Sequence, residues 1–456
     1  MCGITGILSF SQSGSDFQSH TRSSVNKLSK RGPDVQLTHS EGPVNLGHSR
    51  LSIIDPGEQS NQPFLFDDGK LVVVFNGEFY NHRDFRNELS QDGYEFRTDS
   101  DAEVILHLYR KCGIDFIKYI NGCFAVAVWD SNKGRLLVAR DRLGIKPLYY
   151  YHGDDFFAFA SEMKALLEYP VPRKLDESSL YAYLQLNYVP DNRSMLSDIY
   201  RLKPGSYIEI TQDGISHSTY YELPDPAEDN TSNYTYSEAM TELEKRMDNA
   251  VQRRLLSDVP LGAFLSGGID SSVVVALASR HTKQLNTYSL GFEGESFFDE
   301  TGDAEVVAKK FNTNHHSFRI SKTDMLNDLP EVLDYIDEPF ADSSALAVYS
   351  LSKFTAKNVR VALSGDGADE MFAGYNKHLA HKQALDKTFR NRMIRGSHFL
   401  WQNMPQSRHS KLGNKLRQLN RYSGGLRLSA DERYWRWCSL MNENQASNLM
   451  NFNKSD

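Results

Sequence analysis

Cysteine is scarce in this chain. Cys2, Cys112, Cys123 and Cys438 are its only four among 456 residues, and no two are spaced Cys-x-x-Cys, which argues against a disulfide framework and a zinc site. That usage fits a reducing, cytoplasmic setting. Positive charge is also short: 51 Lys and Arg against 59 Asp and Glu leave −8, with a pI near 6.0, so no basic body exists for nucleic acid. No run reaches the roughly 18 to 20 apolar residues a membrane helix needs, and the N-terminus lacks a basic segment followed by an apolar one. The expectation is a soluble, unexported protein without membrane contact. Gly-Lys-Ser/Thr is missing too, which excludes a Walker loop.

What is present centres on Phe264-Leu265-Ser266-Gly267-Gly268-Ile269-Asp270-Ser271-Ser272, an apolar run that breaks into a small-residue turn and then into the helix-like Val273 to Arg280. Adjacent glycines permit positive φ and close approach of a ligand. Amides of a first helical turn, with the helix dipole, favour phosphate. The hydroxyls of Ser266, Ser271 and Ser272 add donors, and Asp270 is placed to hold a Mg²⁺ bridging phosphate oxygens. The alternative is a turn that only caps a helix.

The first half opens on Met1-Cys2-Gly3-Ile4. Were Met1 removed, the α-amino group of Cys2, with an ordinary pKa of about 7.7 to 8.0, would serve as base for its own thiol. A small buried apolar cysteine is the plainer reading. Strand patterns follow at Gly47 to Ile54, Leu71 to Phe75, Phe124 to Trp129, Arg135 to Ala139, Leu148 to Tyr151 and Phe156 to Ala160, which predicts sheets packed on sheets. Among them lie clusters suited to an amino-acid substrate. Arg50 is placed to grip an α-carboxylate bidentately and Asp101 to accept from an α-ammonium, while Asn76 with the Gly77 N–H would make an oxyanion hole. By itself Asn76-Gly77 reads more simply as a hairpin turn.

In order, Cys2-Gly3-Ile4, Arg31-Gly32-Pro33-Asp34, Arg50-Leu51-Ser52-Ile53, Asn76-Gly77-Glu78, Ser100-Asp101-Ala102-Glu103 and Ala139 to Leu148 closely resemble the glutaminase domain of glutamine-hydrolysing asparagine synthetases. The resemblance implies an αββα sandwich of the N-terminal-nucleophile hydrolases over residues 1–222. It also implies attack of Cys2 on the glutamine side-chain amide, with Asn76 and Gly77 in the catalytic set. Arg50, Leu51, Ile53, Asn76, Gly77, Glu78 and Asp101 would form the glutamine pocket.

A polar, proline-bearing stretch from Pro224 to Asn233 reads as a linker, placed at 223–236. Thr235 and Glu238 form a capping-box pattern, followed by Met240, Leu243, Met247, Val251 and Leu255 at helical spacing. Strand patterns at Leu261 to Leu265, Asn286 to Phe292, His315 to Ile320 and Val359 to Leu363 then alternate with helical ones at Val273 to Arg280, Asp303 to Phe311 and Ala345 to Ala356. Alternation of this kind predicts a doubly wound parallel sheet, with ligands outside the strand C-termini. Both small-residue loops fall there, Ser266 to Ser272 and Ser364-Gly365-Asp366-Gly367-Ala368-Asp369-Glu370.

These loops, with Phe298-Asp299-Glu300, Asp337-Glu338-Pro339 and Asp342-Ser343-Ser344, resemble the synthetase domain of the same family, an ATP-pyrophosphatase, here over 237–456. The resemblance implies aspartate, glutamine and ATP as substrates, Mg²⁺ near Asp270, and a β-aspartyl-AMP intermediate captured by channelled ammonia. Leu265, Leu290, Ser364 and Gly365 would contact ATP beside Ser266, Gly267, Gly268, Asp270, Ser271 and Ser272. Asp366 would act in forming or resolving the adenylate. Family members continue through a stretch of the form Glu-x-Arg-x-Pro-Phe-Leu-Asp and a later lysine. Neither occurs before Asp456, so the synthetase half is expected to lack its usual C-terminal part. The alternatives are an amidotransferase for another carboxylate, a uronic acid or peptide acid, and a glutaminase or regulatory module with an incomplete synthetase half. A homodimer is the candidate assembly.

Overall fold

The computed structural model describes residues 1–10, 14–67, 69–211, 213–225, 234–294, 299–386, 388–407 and 410–450. Most of the expected linker, 226–233, and Phe298 lie outside them.

Among the described residues, twelve strands build the first half: β1 (Gly3–Ser9), β2 (Val35–Glu41), β3 (Val44–Arg50), β4 (Phe64–Phe66), β5 (Leu71–Phe79), β6 (Gly122–Asp130), β7 (Arg135–Arg140), β8 (Tyr149–His152), β9 (Phe156–Ala160), β10 (Ile199–Arg201), β11 (Ser206–Thr211) and β12 (Gly214–Thr219). They pair antiparallel in two sheets, β10-β8-β9-β1-β3-β2 and β12-β11-β7-β6-β5-β4. Period-2 alternation explains the layering. In β5, Val72 and Val74 face the core between the sheets with Ile4, Leu46 and Phe159, while Val73 and Phe75 face the opposite way onto Leu89 and Leu106. Leu89 and Leu106 belong to the helices α2 (His82–Gln91) and α3 (Asp101–Cys112). On the outer face of the other sheet, Ile7 and Ala158 pack with Leu28, just past α1 (Gln18–Lys27), and with Met163 and Leu166. The expected αββα sandwich is formed.

Two expectations are corrected here. Asn76-Gly77 is no hairpin turn: both residues lie inside β5, paired with Ala125 and Phe124 of β6. The strand expected over Gly47 to Ile54 ends at Arg50, because the next residues curl around that side chain and their carbonyls leave the ladder.

The second half begins with a helix, Tyr236–Arg254, whose capping box of Thr235 and Glu238 forms as expected. Of its apolar stripe, Val251 is buried and Met247 and Leu255 pack against the core, whereas Met240 is exposed. Four parallel strands follow, β13 (Leu261–Phe264), β14 (Asn286–Phe292), β15 (Asn314–Ile320) and β16 (Val361–Leu363), ordered β15-β14-β13-β16. The chain winds outward from β13 through β14 to β15, then crosses back to the far side of β13. Right-handed crossovers therefore put the helices Ile269–His281 and Thr301–Phe311 on one face and Ser344–Thr355 on the other. The switch in winding lies between β13 and β16, where such sheets open a crevice for ligands.

By contacts the chain forms two compact units. One comprises Met1–Asp176, Asp191–Glu338 and Ser343–Ser364; the other comprises Glu177–Pro190, Pro339–Asp342 and Gly365–Asp456, its described part mostly helical. No helix among the described residues is long and apolar enough to cross a membrane.

Candidate active site

Cys2 precedes β1, whose Gly3 pairs with Ser49 of β3, so the thiol lies beside the residues just past that strand. The Leu51 N–H donates to Sγ at 3.4 Å, and Sγ donates to the Leu51 carbonyl at 3.6 Å. Arg31 fixes the backbone by donating from Nε to the Cys2 carbonyl at 2.9 Å, and pairs with Glu162 at 3.1 Å. Burial pushes the Cys2 thiol up, with the Leu51 hydrogen bond pulling the other way. The Met1 amino group is lowered to about 6, chiefly by burial.

The pocket above Cys2 is lined by Arg50, Leu51, Ile53, Gly77, Glu78 and Asp101, six of the seven residues expected around glutamine, and also by Ile54, Ser60, Gln62, Phe75 and Ser100. Of those five, Ser100 lies in a quoted motif and Ile54 and Phe75 in expected strands, but none was expected in the pocket; they arrive through the loop after β3, through β5 and through the cap of α3. Burial, then the charge of Asp101, raises the Glu78 carboxyl to about 8. Burial likewise raises Asp101, whose Oδ2 accepts the Phe79 N–H at 3.1 Å. Two carboxyls crowded at one spot favour a bound cation, such as an α-ammonium.

Arg50 departs from its expected role. Nη1 donates to the Gly57 carbonyl at 2.8 Å and to Asn61 Oδ1 at 2.7 Å, while Nη2 donates to the Asp55 carbonyl at 2.5 Å and the Ile54 carbonyl at 3.4 Å. Both Nη1 protons are thereby used, so a grip through the two terminal nitrogens is closed. With Nη2 also donating twice, Nε is the donor that makes no hydrogen bond among the described residues.

Asn76 lies behind the pocket and does not line it. Its side chain is fully buried, with Nδ2 at 3.4 Å from Ser161 Oγ and Oδ1 lacking a hydrogen bond among the described residues. Ser161, which no sequence pattern marked, also accepts the Ile4 N–H and so ties Asn76 to the strand that directly follows Cys2. Gly77 is required by close approach: a Cβ there would stand 2.3 Å from the Cys123 carbonyl oxygen. In the Ala139 to Leu148 run, buried Asp141 accepts the N–H groups of Phe124, Leu143, Ile145 and Lys146 and so shapes the loop that carries Lys146.

At the second candidate site, Leu265 to Ser272 leaves β13 and Ser364 leaves the adjacent β16, the two strands at the switch in winding. The turn is braced from within. Ser271 Oγ accepts the Ser266 N–H and contacts Ser266 Oγ at 3.0 Å, and Ser266 Oγ accepts the Gly268 N–H, so these hydroxyls hold the turn and are not simply spare donors. The helix starts at Ile269, earlier than expected, which places Asp270 and Ser271 in its first turn. Only Gly267 has positive φ, and its added Cβ would strike Asp303 and Ala304; at Gly268, with ordinary φ, it would meet Ser266 Oγ alone at 3.2 Å. The close approach demanded at Gly267 is therefore to the chain's own helix, while Gly268 leaves room for a ligand. Leu265 is buried in the core, so any nucleotide contact would be through its backbone. Leu290 lies on β14 beside Phe318 of β15. Gly365 and Asp366 belong to the other compact unit. Among the described residues no three His, Cys, Asp or Glu cluster as a metal site. A lone Asp270 fits a Mg²⁺ carried in by substrate phosphates.

The Asp337-Glu338 pair faces the first half. Asp337 accepts the Lys164 N–H at 3.0 Å, and Glu338 accepts from Tyr149, Met195 and Arg201 at 2.8, 2.6 and 2.5 Å.

Residues 1–221 match the model of the glutamine amidotransferase domain family, and residues 242–450 match that of asparagine synthase. A protein of Methanocaldococcus jannaschii, provisionally named asparagine synthetase (glutamine-hydrolyzing) 2, is 35% identical over 407 residues, 83% of this chain and 76% of its own length. Asparagine synthetase (glutamine-hydrolyzing) 1 of Bacillus subtilis is 36% identical over 383 residues, 82% of this chain and 59% of its own. The amidase chyE of Penicillium rubens is 29% identical over 402 residues, 82% of this chain and 59% of its own. The chain thus spans about three quarters of the first relative and about six tenths of the other two. With both family models matched in that order, and with more than a third of aligned positions shared with the archaeal relative, the chain belongs to the glutamine-hydrolysing asparagine synthetase family.

Proposed function

We propose that this chain makes asparagine from aspartate, glutamine and ATP, with residues 1–222 as glutaminase and 237–456 as synthetase, joined at 223–236. The observation that carries the reading is the single pocket that gathers Cys2, Arg50, Glu78 and Asp101 from four separate segments. Once Met1 is removed, the Cys2 amine accepts the thiol proton and Sγ attacks the glutamine amide carbon. The oxyanion forms against the Gly77 N–H, with Asn76 buried behind it, ammonia leaves with that proton, and water hydrolyses the thioester to glutamate. Glu78 and Asp101 take the α-ammonium. Free ammonia at neutral pH is mostly ammonium and inert, so release inside the protein keeps it nucleophilic.

In the second half the β-carboxylate of aspartate attacks the α-phosphorus of ATP. Pyrophosphate leaves onto the Gly268 turn and the amides of the helix it opens, and ammonia then displaces AMP. When Mg²⁺ is bound, Asp270 would hold it to neutralise the phosphates. Asp366 would assist adenylate formation or its capture.

A second reading, another acceptor carboxylate, draws on the likeness to a fungal protein named an amidase. Incubation with glutamine, ATP, Mg²⁺ and aspartate, following glutamate, AMP, pyrophosphate and asparagine, tests both. Equal asparagine and AMP would support the synthetase. AMP only with a different acid would favour the second reading, and glutamate without AMP would leave only the glutaminase.

A further inference from the structure

The segment that brackets the Cys2 thiol is held from outside by the second half of the chain. Asp258 grips it twice: its N–H donates to the Ile53 carbonyl at 3.2 Å, and its Oδ2 accepts the Asp55 N–H at 2.8 Å. Arg360 grips it through Asp34. The guanidinium donates from both Nη atoms to the two Asp34 oxygens, each at 2.8 Å, and Oδ2 of Asp34 also accepts the Ser52 N–H at 2.8 Å. Leu51, whose backbone meets Sγ on both sides, directly precedes Ser52 to Asp55, the stretch these two residues hold.

Asp55 explains why a grip is needed. Its φ is +45°, a conformation that side-chain-bearing residues adopt only when their surroundings hold them there. Asp55 also carries the hold onward, since its Oδ2 accepts the Asp99 N–H at 2.8 Å, two residues before Asp101 of the pocket.

Both clamps come from one rigid place. Asp258 precedes β13 by three residues, Arg360 directly precedes β16, and the Arg360 N–H donates to the Pro260 carbonyl at 3.0 Å. The pocket is thus registered against the starts of the two strands whose far ends, roughly 13 Å away at about 3.3 Å per residue, carry the candidate phosphate turn and Ser364. Because Arg360 and Asp258 are substantially exposed, their bonds add little to global stability. Their effect falls on geometry.

We propose that Asp258 and Arg360 are positioning residues for the glutamine pocket, holding Leu51 to Asp55 in the shape that presents the Cys2 thiol to substrate. This rests on the glutaminase reading above. The test compares Asp258→Ala, Asp258→Asn and Arg360→Ala in the full chain, measuring glutamate release from glutamine and amide exchange at residues 52–55. Loss of one such hydrogen bond at a largely exposed site corresponds to about fivefold to tenfold in an equilibrium. Asp258→Ala and Arg360→Ala should raise KM for glutamine about fivefold to tenfold, with kcat within about twofold, and Asp258→Asn, which keeps an acceptor oxygen, should restore most of it. Exchange at residues 52–55 should quicken in the alanine variants while the urea midpoint stays put. Unchanged KM together with unchanged exchange would overturn the proposal, as would a kcat loss without a KM change. If the unaltered chain releases no glutamate while a folded pocket is retained, the glutaminase reading fails instead, and exchange alone then decides whether the clamp exists.

Discussion

Replacing Arg50 separates two roles that sequence alone merges. As a carboxylate grip, its loss would weaken glutamine binding and little else. The structure gives it a second task, since it is buried and its terminal nitrogens donate to Asn61 and to the carbonyls of Ile54, Asp55 and Gly57. Three of those four bonds are 2.8 Å or shorter, and hydrogen bonds to a charged donor are worth about 1.5 to 3 kcal/mol each. Their simple sum overstates the cost, because the loop is half exposed and water would satisfy part of what is lost. We expect Arg50→Gln to destabilise the 51–61 loop by about 3 kcal/mol, enough to open it about a hundredfold more often without unfolding the chain. Hydrogen exchange should show this as lost protection confined to residues 51–61, accompanied by faster alkylation of Cys2 and loss of glutamine hydrolysis. Ammonia-dependent synthesis should persist. If protection in the loop is unchanged and only KM for glutamine rises, Arg50 is a substrate ligand alone and the loop-keystone reasoning is refuted.

Cys2→Ala should abolish glutamate release while sparing ammonia-dependent synthesis; loss of both in a folded variant would mean that the thiol has another role. Burial keeps the Glu78 carboxyl protonated to about 8, whereas the unfolded chain releases that proton near 4.5. The folded state therefore holds more protons across this window, so stability falls as pH rises through it, and Glu78→Gln should flatten that slope between urea midpoints at about pH 5 and about pH 8. Gly77→Ala should cost about 2 kcal/mol by thermal unfolding, because the new methyl meets backbone of β6, whereas Gly268→Ala should keep the melting temperature and weaken pyrophosphate or ATP binding. Replacing Asp141 by Ala leaves four N–H groups without their acceptor and should destabilise by about 3 kcal/mol or more in denaturant titration; a cost below about 1 kcal/mol would show that water fills the gap.

The sequence by itself determined the element types, because the signals for them are local. Continuous apolar runs in β5 and β6, the Thr235 capping box and the strand-helix alternation after residue 255 each act over a few neighbours, and the structure forms them. It also carried the ordered motifs that mark the family. Tertiary structure alone decided what the side chains do where distant segments meet. Asn76-Gly77 satisfies a turn pattern locally, yet pairing with β6 buries it in a strand. Arg50 looks free to bind substrate until the loop after β3 wraps its guanidinium. Gly267 looks like a ligand cradle until the helix Thr301–Phe311 packs against it. The physical reason is common to all three: hydrogen-bonding capacity and free volume are used up by whichever group arrives first in space, and sequence spacing does not show which group that will be.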